Sequence, residues 1–149
     1  MNTFSILFVI AVAVAAATRL WLARRHVNYV SAHRATVPEA FSAEVALDAH
    51  QKAADYTVAK SRFSMAGIVF NTAVLLVLIF GGVLQDLYDL TGNMLTNDLA
   101  RGVLFFAYLG LLMSVIDVPF ELYRTFVIEE KFGFNKMTPA LFILSLIHI

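Results

Sequence analysis

Three stretches of this chain, residues 4–22, 63–84 and 102–119, are apolar enough to cross a bilayer, and most of the charge falls between them. At 1.5 Å per helical residue, the 22 uncharged residues of 63–84 reach about 33 Å, which covers a hydrocarbon core of roughly 30 Å. Residues 4–22 make nineteen, within the same requirement. Composition agrees: 60% of the chain is hydrophobic and the mean hydropathy is +0.75, above the roughly 45–50% apolar content of water-soluble domains. The fold class that follows is all-α and integral to the membrane, with three transmembrane helices joined by amphipathic interfacial or cytoplasmic helices.

A cleaved leader competes with the first span, because AVAVAAAT ends the apolar run in small residues. Signal peptides carry their positive charge ahead of that run, whereas here Arg19, Arg24 and Arg25 come near its end or after it. The reading is a retained anchor, with Trp21 at the interface. The connector 24–62 holds Arg24, Arg25, Arg34, Lys52, Lys60 and Arg62, against a single arginine in 85–101. Basic residues stay preferentially in the cytoplasm, so the N-terminus is expected outside and both the connector and the C-terminus inside. Within the connector, Pro38 and Glu39 predict a helix start. Phe41, Val45, Ala49, Ala53 and Tyr56 share one face of that helix, and Asp48 is spaced to pair with Lys52. Thr91, Gly92 and Asn93 read as a turn. Gly133 reads as a helix stop.

Chemistry concentrates at 117–138. Asp117, Glu121 and Arg124 return to one helical face after fourteen uncharged residues, and with Glu129, Glu130 and Asn135 they form a candidate structural or docking cluster. Asn71 is the strongly polar residue of the second span, and an interhelical hydrogen bond is its expected role. His26, His33, His50 and His148 belong to no H-E-x-x-H pattern, and no phosphate-binding or nucleophile-elbow motif occurs. No catalytic residue, metal ligand or cofactor is therefore expected in these 149 residues. Equal numbers of acidic and basic residues, eleven of each, give no argument for nucleic acid. The partner the composition names is the lipid bilayer.

Residues 44–63, EVALDAHQKAADYTVAKSRF, and 118–138, VPFELYRTFVIEEKFGFNKMT, resemble the N-terminal membrane region of the type I CAAX prenyl endopeptidase family. FVIEEKFGFNKMT at 126–138 is the most specific part, and the likeness runs from about 24 to 142. The resemblance implies a larger multi-span helical barrel around a water-filled chamber, in an integral-membrane zinc metallopeptidase. Prenylated CAAX-type peptides would be its substrates or, in bacteria, membrane proteins under quality control. Zinc is then expected in the full-length parent, and a missing C-terminal catalytic half becomes the partner of this fragment, with a bacterial inner membrane as its setting. Residues 1–143 are expected to be the native N-terminal transmembrane region. LSLIHI at 144–149 resembles a translated sequencing adapter and is expected to be a non-native tail. The alternatives are a small three-span scaffold or adaptor without catalysis, or half of a transporter, with Asn71 and Asp117 lining its path.

Overall fold

The computed structural model describes residues 2–147, so His148 and Ile149 of the expected tail lie outside the described residues. Among the described residues there are helices and no strands. Helix α1 spans Thr3–Ala32, α2 Leu47–Phe80, α3 Val83–Met94, α4 Asp98–Tyr123 and α5 Pro139–Ile147. A 3-10 turn at Glu39–Phe41 precedes α2, and a π-helical turn at Arg124–Glu129 prolongs α4.

Local chemistry sets several of these limits. Asn2 Oδ1 accepts the Ser5 amide at 2.9 Å and Asn97 Oδ1 accepts that of Ala100 at 3.0 Å, each satisfying an orphan donor at a helix start. Helix α2 ends where expected, at Gly81 and Gly82. A Cβ on Gly81 would run into the Val77 carbonyl, and Gly82 takes φ +83°, open to glycine at little cost.

Several expectations need correction. The amphipathic helix does not start at Pro38 and is not separate from the second span. Only a 3-10 turn forms there, and residues 47–62 are the first turns of α2, since no strong helix breaker interrupts Leu47–Phe80. Thirty-four residues make α2 about 51 Å long, so its charged N-terminal third stands clear of the hydrocarbon core. The predicted turn at Thr91, Gly92 and Asn93 lies instead inside α3. Leu84, Leu87, Tyr88 and Thr91 recur at three and four there, and this periodicity outweighs one glycine. Thr91 is fully buried and bonds the Tyr88 carbonyl at 2.9 Å, while the Arg101 guanidinium lies 3.9 Å from the centre of the Tyr88 ring. Helix α4 passes through Pro119 without breaking, and the π-turn begins five residues later.

Packing is confined to a few seams. Helices α1 and α2 form an antiparallel hairpin, closed near one end by Phe8 against Phe80 at 6.2 Å. Near the other end Arg34 grips Asp55 with two bonds of 2.7 and 2.8 Å. Helix α2 meets α4 through rings, Phe63 on Phe120 and Tyr123 at 5.8 and 5.1 Å and Phe70 on Phe120 at 4.6 Å. Buried apolar side chains are few among the described residues: Val27, Ala54, Ile68, Ile128 and Phe142. Almost no residue in the apolar windows of α1, α2 and α4 is fully buried by the chain itself. That much exposed apolar helix needs lipid or further protein around it.

The Arg34–Asp55 clasp sets a pH response. The hydrogen bond from Arg34, with its charge and that of Lys131, holds the Asp55 carboxyl below its ordinary value despite some desolvation. The Arg34 guanidinium is pushed up by the same bond. The aspartate's contribution is complete above its ordinary value of about 3.9 and is lost as pH falls through the depressed one. The arginine's is lost only as pH rises through its raised value, far above neutrality. Protease nicking of the 33–46 connector should therefore stay constant from neutral pH to about 5 and rise below about 4. In Asp55→Asn it should be raised throughout and lack this acid step.

Candidate functional site

Two sequence stretches separated by some sixty residues come together at the end of the molecule that carries the connector. Tyr56 of α2 packs edge-on against Phe132 at 5.5 Å and tilts against Phe134 at 4.8 Å. Lys52, one turn earlier, places its ammonium 5.4 Å from the centre of the Phe134 ring. The expected Asp48–Lys52 pair does not form, because this aromatic face occupies the lysine. Ala54 is buried on α2, as are Thr125 and Ile128 in the π-turn that packs against it.

The chain then reverses at Gly133, with φ +72°. The Gly133 amide bonds the Glu130 carbonyl at 2.9 Å, and those of Phe134 and Asn135 bond the Glu129 carbonyl at 2.9 and 3.3 Å. Asn135 locks the reversal by donating to Glu130 Oε2 at 2.9 Å and accepting the Met137 amide at 2.7 Å. The expected C-cap at Gly133 is therefore present. After it, α5 returns so that Phe142 packs on Phe126 at 5.7 Å.

Of the candidate cluster, the structure joins Glu121, Arg124 and Glu129. Arg124 lies 2.8 Å from Glu121 and 3.8 Å from Glu129. Glu130 and Asn135 pair separately in the reversal. Asp117 is not in the ion-pair cluster: among the described residues it receives no salt bridge, since Arg124 is engaged by Glu121 and Glu129. Nor does Asn71 bond a neighbouring helix among the described residues.

Both instead line one cavity of about 680 Å³ between α2, α4 and α5. Its wall is mixed, with Arg19, Lys60, Asn71, Asp117, Glu121 and Arg124 set among Phe63, Ile68, Phe120 and Phe142. If water fills it, this recess accounts for polar groups inside spans, because it removes the cost of facing lipid. The chain has no cysteine, so single-cysteine variants at 71 and 117 need no background removal. Both should react with a membrane-impermeant thiol reagent in detergent-free nanodiscs, while cysteine at Val77, exposed within the apolar stretch of α2 and outside the cavity, should not.

Arg124→Ala leaves Glu121 and Glu129 without their counter-ion. With side chains 26–45% exposed, the loss is expected to be about 1–2 kcal/mol, below that of a fully buried pair. Thermal unfolding should show it, and Arg124→Lys should recover part.

The donors of the described residues do not fit a zinc centre. Among the described residues no three His, Cys, Asp or Glu side chains come together. His33 Nδ1 lies 2.8 Å from the Tyr29 carbonyl, and His50 Nε2 lies 3.1 Å from that of His33.

Comparison with known proteins follows the same outline. The family described as CAAX prenyl protease N-terminal, five membrane helices, matches residues 26–148. The chain is 30% identical over 130 residues to CAAX prenyl protease 1 of Saccharomyces cerevisiae, covering 80% of this chain and 29% of that one. Against the probable CAAX prenyl protease 1 of Schizosaccharomyces pombe it is 34% identical over 141 residues, covering 86% and 29%. It also superimposes on the crystal structure of S. mikatae Ste24p with a TM-score of 0.87 at 25% identity, covering 99% of this chain and 35% of that one. The chain thus spans about three tenths of the length of these curated relatives.

Proposed function

This chain belongs to the CAAX prenyl protease N-terminal family, and from that membership we propose that it forms part of the chamber wall of an integral-membrane zinc endopeptidase. The observation that carries the reading is the meeting of the two family-like stretches, Tyr56 on Phe132 and Phe134, beside a cavity lined by α2, α4 and α5. In this reading residues 117–138 are a bracket. The ion pairs of Arg124 and the Glu130–Asn135 reversal hold the end of α4 and the start of α5 at a fixed angle, ready to dock a catalytic half.

Zinc and its ligands would lie in that half, since the donors described here do not fit the metal. When bound, zinc would supply an activated water for attack on a peptide bond. This chain's own residues would line the space the peptide enters. The substrate is a prenylated CAAX-type peptide or, in a bacterial inner membrane, a membrane protein under quality control. The arrangement supports an N-out orientation. Apart from Arg19 and Arg101, the basic residues gather at the end holding the connector and the reversal, which would be the cytoplasmic end.

Split complementation tests the proposal. The 149-residue chain alone should not cleave a farnesylated CAAX peptide. Co-expressed with the catalytic half of a CAAX prenyl protease, it should restore chelator-sensitive cleavage. Failure to restore it with a folded, co-purifying pair would favour the non-catalytic scaffold.

A further inference from the structure

Helix α1 has no acidic residue but holds Arg19, Arg24 and Arg25. Positions 21, 24, 25 and 28 recur at three, four and seven, so Trp21, Arg24, Arg25 and Asn28 form one face. They line a shallow cleft of about 420 Å³. That face is turned away from the packed seam: Val27, about a third of a turn round the helix, is buried, while Trp21 is 60% exposed. The Arg25 guanidinium lies 5.7 Å from the centre of the Trp21 ring, and neither Arg24 nor Arg25 has an acidic partner among the described residues.

The depth of this face decides what can cover it. Trp21 sits in the last turn of the apolar stretch 4–22, and the two arginines follow within one turn, which for a helix crossing the bilayer is the level of lipid headgroups. The exposed Trp21 indole, with the Arg25 guanidinium near it, offers a planar apolar contact for the glycerol and acyl region. Arg24 and Arg25, lining the same cleft, supply two positive charges for a phosphodiester.

We infer that the Trp21, Arg24, Arg25 and Asn28 face of α1 binds the headgroup of an anionic phospholipid. The site shares no lining residue with the cavity between α2, α4 and α5, although Arg19 of α1 reaches that cavity, and it requires only that α1 cross the bilayer.

Trp21 is the chain's one tryptophan, so its fluorescence reports this site alone. The experiment places the full chain in phosphatidylcholine nanodiscs doped with a small fraction of brominated lipid, either phosphatidylglycerol or phosphatidylcholine. Each arginine at an anionic surface is worth about fivefold in local partition, so brominated phosphatidylglycerol should quench Trp21 at least about fivefold more per molecule. Arg24→Gln with Arg25→Gln should bring the two lipids to parity, and Arg24→Lys with Arg25→Lys should keep most of the preference. If the glutamine variant fails to incorporate, the lysine variant decides: a preference that falls with added salt supports the site, and a salt-independent one overturns it. Equal quenching by the two lipids in the parent chain overturns it, as does a preference unchanged in the glutamine variant. Abolition by millimolar inorganic phosphate would reassign the site to a soluble anion and also overturn the lipid assignment.

Discussion

Tyr56→Ala is expected to destabilise the folded chain by about 2–3 kcal/mol and to separate α2 from the chain reversal at Gly133. The ring makes two aromatic contacts, with Phe132 and Phe134, each worth about 0.5–1.5 kcal/mol beyond area. Partial burial of the side chain adds a share of the area term. The effect should exceed that of any surface change because this is the main tie between the two halves of the basic end. Tyr56→Phe should cost little, since no hydrogen bond of its hydroxyl carries the contact. An SDS titration followed by circular dichroism, with Phe134 replaced alone and together with Tyr56, would show whether the two act as one unit.

Gly133→Val should cost about 2 kcal/mol by a different route. The backbone there has φ +72°, which costs an ordinary L-residue about 1–2 kcal/mol and a β-branched one more. Space is not the obstacle, because a Cβ would find Lys52 Nζ at 3.7 Å, an ordinary contact. The same titration should therefore show Gly133→Asn losing less than Gly133→Val, since asparagine tolerates this conformation better. Equal losses would mean that crowding rather than backbone conformation governs the position. In the split assay both Tyr56→Ala and Gly133→Val should weaken assembly with the catalytic half, while leaving membrane insertion intact.

What the sequence reveals and conceals has physical causes. Three spans were legible because crossing a bilayer demands about twenty apolar residues in a row, and nothing local can disguise such a run. Gly81, Gly82 and Gly133 were legible as stops because their effect is a backbone property of single residues. Helix α3 was misread because one glycine among polar residues looks like a turn until its apolar face, ending at the buried Thr91, finds α4. The contact of Tyr56 with Phe132 and Phe134 and the Arg34–Asp55 clasp were missed, since both join residues far apart in sequence. The only hint was that Tyr56 lay on the apolar side of its helix. Asp117 and Arg124 share a helical face, which suggested a pair. The π-turn instead brought Glu129 within reach of Arg124, a rearrangement that 3.6-residue periodicity does not foresee. The likeness of 126–138 to a family was the strongest functional signal, and it fell on the segment that organises the basic end.

The account as a whole depends on α1, α2 and α4 each crossing the bilayer, so that the N-terminal turns of α2 and the short helix α3 face opposite compartments. Single cysteines at His50 and Asn93, probed with an impermeant maleimide in sealed vesicles of one orientation, test this directly. Position 93 should label from one side only and position 50 from the other. Labelling of both from the same side would contradict the three-span fold.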